Sequence, residues 1–66
     1  MIRDEQKLID RLIAVTYRAV LRDAPTISND ILPSVITNRI VDRHPKLSRS
    51  LVIITARKYV ANKRVK

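Results

Sequence analysis

No glycine occurs anywhere in the 66 residues, and that absence narrows the fold more than any residue present. Two-residue β-hairpins want glycine where φ turns positive, and phosphate-cradling loops need it for close backbone approach, so both are excluded. Cysteine is absent as well, which removes disulfide staples and thiolate chemistry. One histidine and six scattered acids make a poor ligand set for structural zinc, and no cofactor is expected. A domain this small buries only about 60% of the surface its unfolded chain exposes. It must therefore be tightly helical or gain stability from a partner. Hydrophobic residues, at 45%, are too many for a disordered basic tail.

The three prolines punctuate the chain. A first helix is expected over about 3–23. Leu8, Ile9, Leu12, Ile13, Val15, Ala19 and Val20 recur at helical spacing as a wide apolar face, flanked by Tyr17 and Leu21. Asp4 and Glu5 in the first turn and Arg22 in the last complement the helix dipole. Ala24-Pro25 ends the segment, because proline disfavours a helical residue before it. Lys7, Arg11, Arg18 and Arg22 fall within about 60° of one another, opposite the apolar face. An ordinary solvated face is the favoured account of this stripe, with Asp4, Glu5 and Asp10 near enough to neutralise part of it. A phosphate-contacting stripe is the alternative.

Thr26-Ile27-Ser28-Asn29-Asp30 has turn and cap chemistry, with Ser28 or Asn29 as the cap. The second helix, placed at about 30–43, starts either near Pro33 or near Asn29 with Pro33 in its first turn. Val35, Ile36, Ile40 and Val41 share one face, while Arg39, Asp42 and Arg43 point outward. His44-Pro45 ends it, and the lone histidine reads as a cap that complements the dipole rather than as a catalytic base. The third helix is expected over about 49–63, capped by Ser48 or Ser50, with Val52, Ile53, Ala56, Tyr59 and Val60 buried. Leu51-Val52-Ile53-Ile54-Thr55 is β-branched enough to pass for a strand. The helical continuation through Ala61 and the lack of a hairpin partner decide for helix. Lys63-Arg64-Val65-Lys66 puts positive charge at its C-terminal end. No internal repeat, low-complexity tract or dividing linker is evident. The expected fold is all-α: one compact three-helix domain over 1–66.

Charge is distributed very unevenly. Fourteen Lys and Arg against six acids leave a net charge of +8. Residues 1–33 carry five cations and five acids and sum to zero. Residues 34–66 carry Arg39, Arg43, Lys46, Arg49, Arg57, Lys58, Lys63, Arg64 and Lys66 against Asp42 alone, and so hold the entire excess. Self-repulsion at that density opposes folding, and solubility alone needs no such asymmetry. An anionic partner is expected for the C-terminal half, nucleic acid first.

Within it the third helix carries the sharpest pattern. Thr55, Lys58 and Asn62 cluster on the face opposite Ala56, with Arg57, Lys63 and Arg64 flanking. Threonine, lysine and asparagine can reach base edges, while arginines and lysines reach phosphates. A three-helix domain that presents its last helix to the major groove has a helix-turn-helix-like arrangement. The connection from Asp42 to Ser48 is longer than the usual turn and lacks its glycine. The expected nucleic-acid-binding set is Arg39, Arg43, Lys46, Arg49, Thr55, Arg57, Lys58, Asn62, Lys63 and Arg64.

Duplex DNA is expected ahead of RNA, because single-strand stacking has only Tyr17 and Tyr59 to draw on. The corresponding role is a compact regulator of transcription or a phage-type accessory factor. Leu51 and Ile54 lie outside the buried arc. Together with the wide face of the first helix they point either to a homodimer suited to a palindromic site or to a small core that uses both faces. The alternative function is a protein-interaction module in which Leu51, Ile54 or Tyr17 docks on a larger acidic partner and the cations steer the encounter. No catalytic pair or nucleophile stands out, and an enzyme is not expected. The apolar run Leu51-Val52-Ile53-Ile54 is far short of the roughly 20 residues that cross a bilayer. The charged Met1-Ile2-Arg3-Asp4-Glu5 start resembles no signal peptide. A cytoplasmic, nucleoid-associated protein without a membrane partner is expected.

Overall fold

The chain folds where the prolines divide it. The computed structural model describes residues 2–64, with side chains over 4–63. Helix α1 covers Ile2–Asp23, α2 Leu32–Arg43 and α3 Arg49–Arg64. There is no strand among the described residues. The β-branched run Leu51–Thr55 is helical within α3, since Val52 and Ala56 bury only when the period is 3.6. Of the two starts considered for α2, the later is nearer: the helix begins at Leu32 with Pro33 in its first turn, where a missing N–H removes no helix bond. One turn earlier the backbone is already coiled, because the N–H groups of Ile31 and Leu32 both donate to the Ser28 carbonyl, at 3.1 and 2.9 Å.

The two connections between helices share one backbone pattern. Ala24-Pro25-Thr26-Ile27-Ser28 and His44-Pro45-Lys46-Leu47-Ser48 make matching backbone bonds. Ala24 and His44 donate to the carbonyls of Val20 and Ile40, both at 2.8 Å. Ile27 and Leu47 donate to the carbonyls of Ala24 and His44, at 3.1 and 3.0 Å. Leu32 and Val52 donate to the carbonyls of Ser28 and Ser48, at 2.9 and 3.0 Å. Proline at the second position of a turn is preorganised for it. Ile27 and Leu47 pin each turn to the core. Helices usually stop on a left-handed glycine; here no described residue has positive φ, so this proline turn replaces the glycine cap twice. The serines differ slightly. Ser48 Oγ accepts the Leu51 N–H at 3.3 Å and caps α3, whereas Ser28 Oγ accepts the Asp30 N–H at 3.1 Å within the turn. His44 stands at the C-cap of α2, as expected, with its backbone N–H satisfying Ile40.

The core draws three residues from each helix: Ile9, Ile13 and Val20; Leu32, Ile36 and Ile40; Val52, Ala56 and Val60. The α2 and α3 sets share the same four-residue step. Tyr17 and Tyr59 close the α1–α3 seam edge to face, with ring centroids 5.2 Å apart. The radius of gyration, 11.2 Å, is close to the roughly 11 Å expected of a compact chain of this length.

Several expectations of burial need correction. Val15, assigned to the inner face of α1, is 63% exposed, and Leu8 is 42% exposed. Both lie on the arc of α1 opposite Ile13, away from the shared core. Ile53 and Tyr59 are half-buried rather than buried, as are Val35 and Val41. Leu51 packs against the core while Ile54 is half exposed. Thr37, not anticipated as a core residue, is only 1% exposed, and its Oγ1 has no hydrogen-bond partner among the described residues. A buried hydroxyl left unpaired destabilises by roughly 1–3 kcal/mol. Thr37→Val, which keeps the shape and removes the hydroxyl, is expected to raise stability by about 1 kcal/mol. In thermal unfolding that corresponds to a melting-temperature increase of roughly 4–8 °C; a decrease would mean the hydroxyl is satisfied.

Candidate nucleic-acid interface

The outer surface of α3 follows from its inner one. Val52, Ala56 and Val60 fix the buried stripe. At about 100° per residue, Ser50, Ile54, Arg57, Lys58 and Ala61 then occupy the opposite arc, and all five are exposed. Arg57 and Lys58 flank Ile54 on this arc and have neither a hydrogen bond nor an ion pair among the described residues. Asn62, one turn beyond Lys58, is exposed and unpaired too.

The other expected residues divide by what their side chains touch. Arg43, at the end of α2, and Lys46, on the second proline turn, are exposed and unpaired among the described residues. Arg49 opens α3 and donates to Asn38 Oδ1, tying α3 to α2 across the turn. Lys63 holds its ammonium 5.5 Å from the centre of the Tyr59 ring, within cation–π range. Arg39 pairs with Asp23 of α1 at 3.5 Å. Both partners of that pair are exposed, so it is worth little and is easily exchanged for a phosphate. Arg64 ends α3, and its side chain lies outside the described residues, as does Lys66.

Thr55 does not belong with the rest. It is half-buried, donates to the Leu51 carbonyl at 2.8 Å and accepts from Gln6 Nε2 at 3.3 Å. Its hydroxyl is taken up by the α1–α3 seam, which puts the free face of α3 nearer Ile54 and Arg57 than the sequence pattern centred it. Gln6 and Asn38 were not singled out from sequence, and Ser50, considered there as a cap, stands exposed on the outer arc. Nothing local marks a glutamine 49 residues away as the partner of Thr55.

Arg39–Asp23 is the one ion pair among the described residues. Asp42, the single carboxylate of the C-terminal half, takes no part in one. Apart from Arg39, the described cations of that half therefore have no carboxylate partner among the described residues. Beside them an open groove of about 380 Å³ runs between α1 and the end of α2, lined among others by Leu12, Val15, Ala19, Arg39, Arg43 and His44. The described residues include no group of three or more histidines or acids that could hold a metal ion. No helix in this range is long and apolar enough to cross a membrane.

Fold and surface together define an all-α three-helix domain with a basic outer helix. Compared with known proteins, the chain matches no family model, no curated relative and no solved structure.

Proposed function

We propose that this protein binds double-stranded DNA, laying the outer arc of α3 in or along the major groove in a helix-turn-helix-like manner. The observation that carries the proposal is the set of unpaired, exposed cations on α3 and its approaches: Arg43, Lys46, Arg57 and Lys58. Each phosphate such a cation meets releases condensed counterions, which drives binding in dilute salt. Arg57 and Lys58 sit where phosphates or guanine edges come within reach, Asn62 can pair with adenine, and Ile54 between them offers an apolar contact to a thymine methyl. Arg49 is held by Asn38 and orients α3 rather than reading bases. A regulatory role in transcription and association with the nucleoid belong to the same proposal. So does a homodimer on a palindromic site, provided that its interface lies away from Ile54, since a copy seated there would cover the DNA face.

Titration of duplex DNA at rising ionic strength tests it. Affinity is expected to fall by roughly 10³-fold between 50 and 200 mM salt if about six phosphates are contacted. No binding in low salt, or binding indifferent to salt, would overturn it. Half-exposed Ile54 favours a second function, docking on a larger acidic protein. Capture of such a partner that survives nuclease treatment would support that function over the first.

A further inference from the structure

We infer that the outer face of α1 is a second duplex-binding surface, so that one molecule bridges two DNA duplexes; the inference rests on the DNA-binding function proposed above. The zero net charge of residues 1–33 conceals a separation of charge. Lys7, Arg11, Arg18 and Arg22 share one arc of α1 opposite Ile9, Ile13 and Val20, and all four are exposed without a hydrogen bond or ion pair among the described residues.

The carboxylates of the same half lie elsewhere or leave the stripe alone. Glu5 is half-buried and outside the arc, Asp10 accepts from Gln6 on the α3 side, Asp23 is engaged by Arg39 on the α2 side, and Asp30 belongs to the first turn. Asp4 shares the arc, one turn before Lys7, but forms no ion pair among the described residues. Four positive charges against one thus face outward from a helix whose overall charge is near balance.

A face needed only for solubility would not be arranged this way. Lys7–Arg11 and Arg18–Arg22 are like-charge pairs at i, i+4, which weaken a helix, whereas alternating signs would have strengthened it. Three of the four are arginines, the side chain suited to phosphate. The centres of the two pairs stand about 16 Å apart along the axis. With arginine side chains extended, that span matches the two strands bordering a groove about 12 Å wide. Val15, 63% exposed, lies level with the gap between the pairs.

The two basic faces cannot serve a single straight duplex. α1 and α3 both turn their buried stripes into the same core and touch through Gln6–Thr55 and Tyr17–Tyr59, so their outer arcs diverge. The molecule is 24 by 17 Å across its shorter axes, thin enough to lie between two parallel duplexes.

The test uses an immobilised duplex and a free labelled duplex in low salt, with binding to each duplex alone measured by gel shift. The intact protein is expected to retain the labelled duplex on the beads. The variant carrying Arg11→Gln, Arg18→Gln and Arg22→Gln keeps helix propensity. It is expected to shift a single duplex nearly as well as the original but to lose retention by at least about tenfold. Intact protein that shifts one duplex yet never retains the second would overturn the inference while leaving the proposed function standing; no shift at all would remove that function instead. Retention undiminished in the triple variant would assign bridging to self-association and overturn the role of α1. Tighter binding to phosphatidylserine-containing vesicles than to duplex, lost in the same variant, would assign the stripe to a lipid surface and overturn it as well.

Discussion

Arg57→Glu combined with Lys58→Glu is expected to weaken duplex binding by roughly 10²-fold in dilute salt and to lower the slope of log affinity against log salt by about 2. The size follows from place as well as charge. Both side chains stand on the exposed arc of α3 with no carboxylate partner, so reversing them breaks no internal pair and leaves the fold intact. Their loss acts on the complex alone. Thr55→Val is the matched control. Because its hydroxyl serves Gln6 and the Leu51 carbonyl, its removal is expected to loosen the α1–α3 seam slightly and leave affinity unchanged. Asn62→Ala sits between the two: exposed, uncharged and on the same helix, it is expected to reduce discrimination among DNA sequences more than overall affinity. Gel shifts with specific and scrambled duplexes at two salt concentrations separate the three cases. Equal losses for Thr55→Val and the double glutamate variant would move the interface to the α1–α3 seam.

Helix number and limits were legible because local chemistry determines them. Ala24-Pro25 and His44-Pro45 stop helices whatever surrounds them, and the apolar spacing between them has one period. What could not be read is which arc of a helix its neighbours cover. Apolar residues occupy more than half the circumference of α1, so Val15 and Ile13 have equal claims to the core by pattern alone. The positions of α2 and α3 decide for Ile13. The burial of Thr37 and the engagement of Thr55 were illegible for the same reason: a threonine carries no local sign that it is buried or that its partner lies far along the chain. The repeated proline turn went unnoticed because Ala24-Pro25-Thr26-Ile27-Ser28 and His44-Pro45-Lys46-Leu47-Ser48 share only two identities. What the two segments have in common is a hydrogen-bond pattern. The basic stripe of α1 was visible at once, but its independence of Asp4 and Asp10 depends on side-chain geometry. The candidate interface was thus legible as charge and composition, while the division of its members into free and occupied required the packing.

Ile36→Ala is expected to remove about 2–5 kcal/mol of stability. Ile36 is fully buried at the centre of the four-residue ladder Leu32, Ile36, Ile40. Deleting its outer carbons leaves a cavity that three short helices cannot close without moving the proline turns. A domain of this length has only about 3–10 kcal/mol in total, so the variant is expected to be partly unfolded at physiological temperature. Equilibrium urea unfolding should show the midpoint falling by about 2 M or more, given a slope near 1 kcal/mol/M for so small a protein. Ile54→Ala removes the same carbons from a half-exposed site and is expected to shift stability by no more than about 0.5 kcal/mol. The contrast matters more than either value. Both isoleucines stand in β-branched apolar stretches that look alike in sequence, and only the three-helix packing makes one of them indispensable. If the two variants lost stability equally, Ile54 would be covered in solution by something the single chain does not contain, and the outer arc of α3 would be an interface between proteins before it was one with DNA.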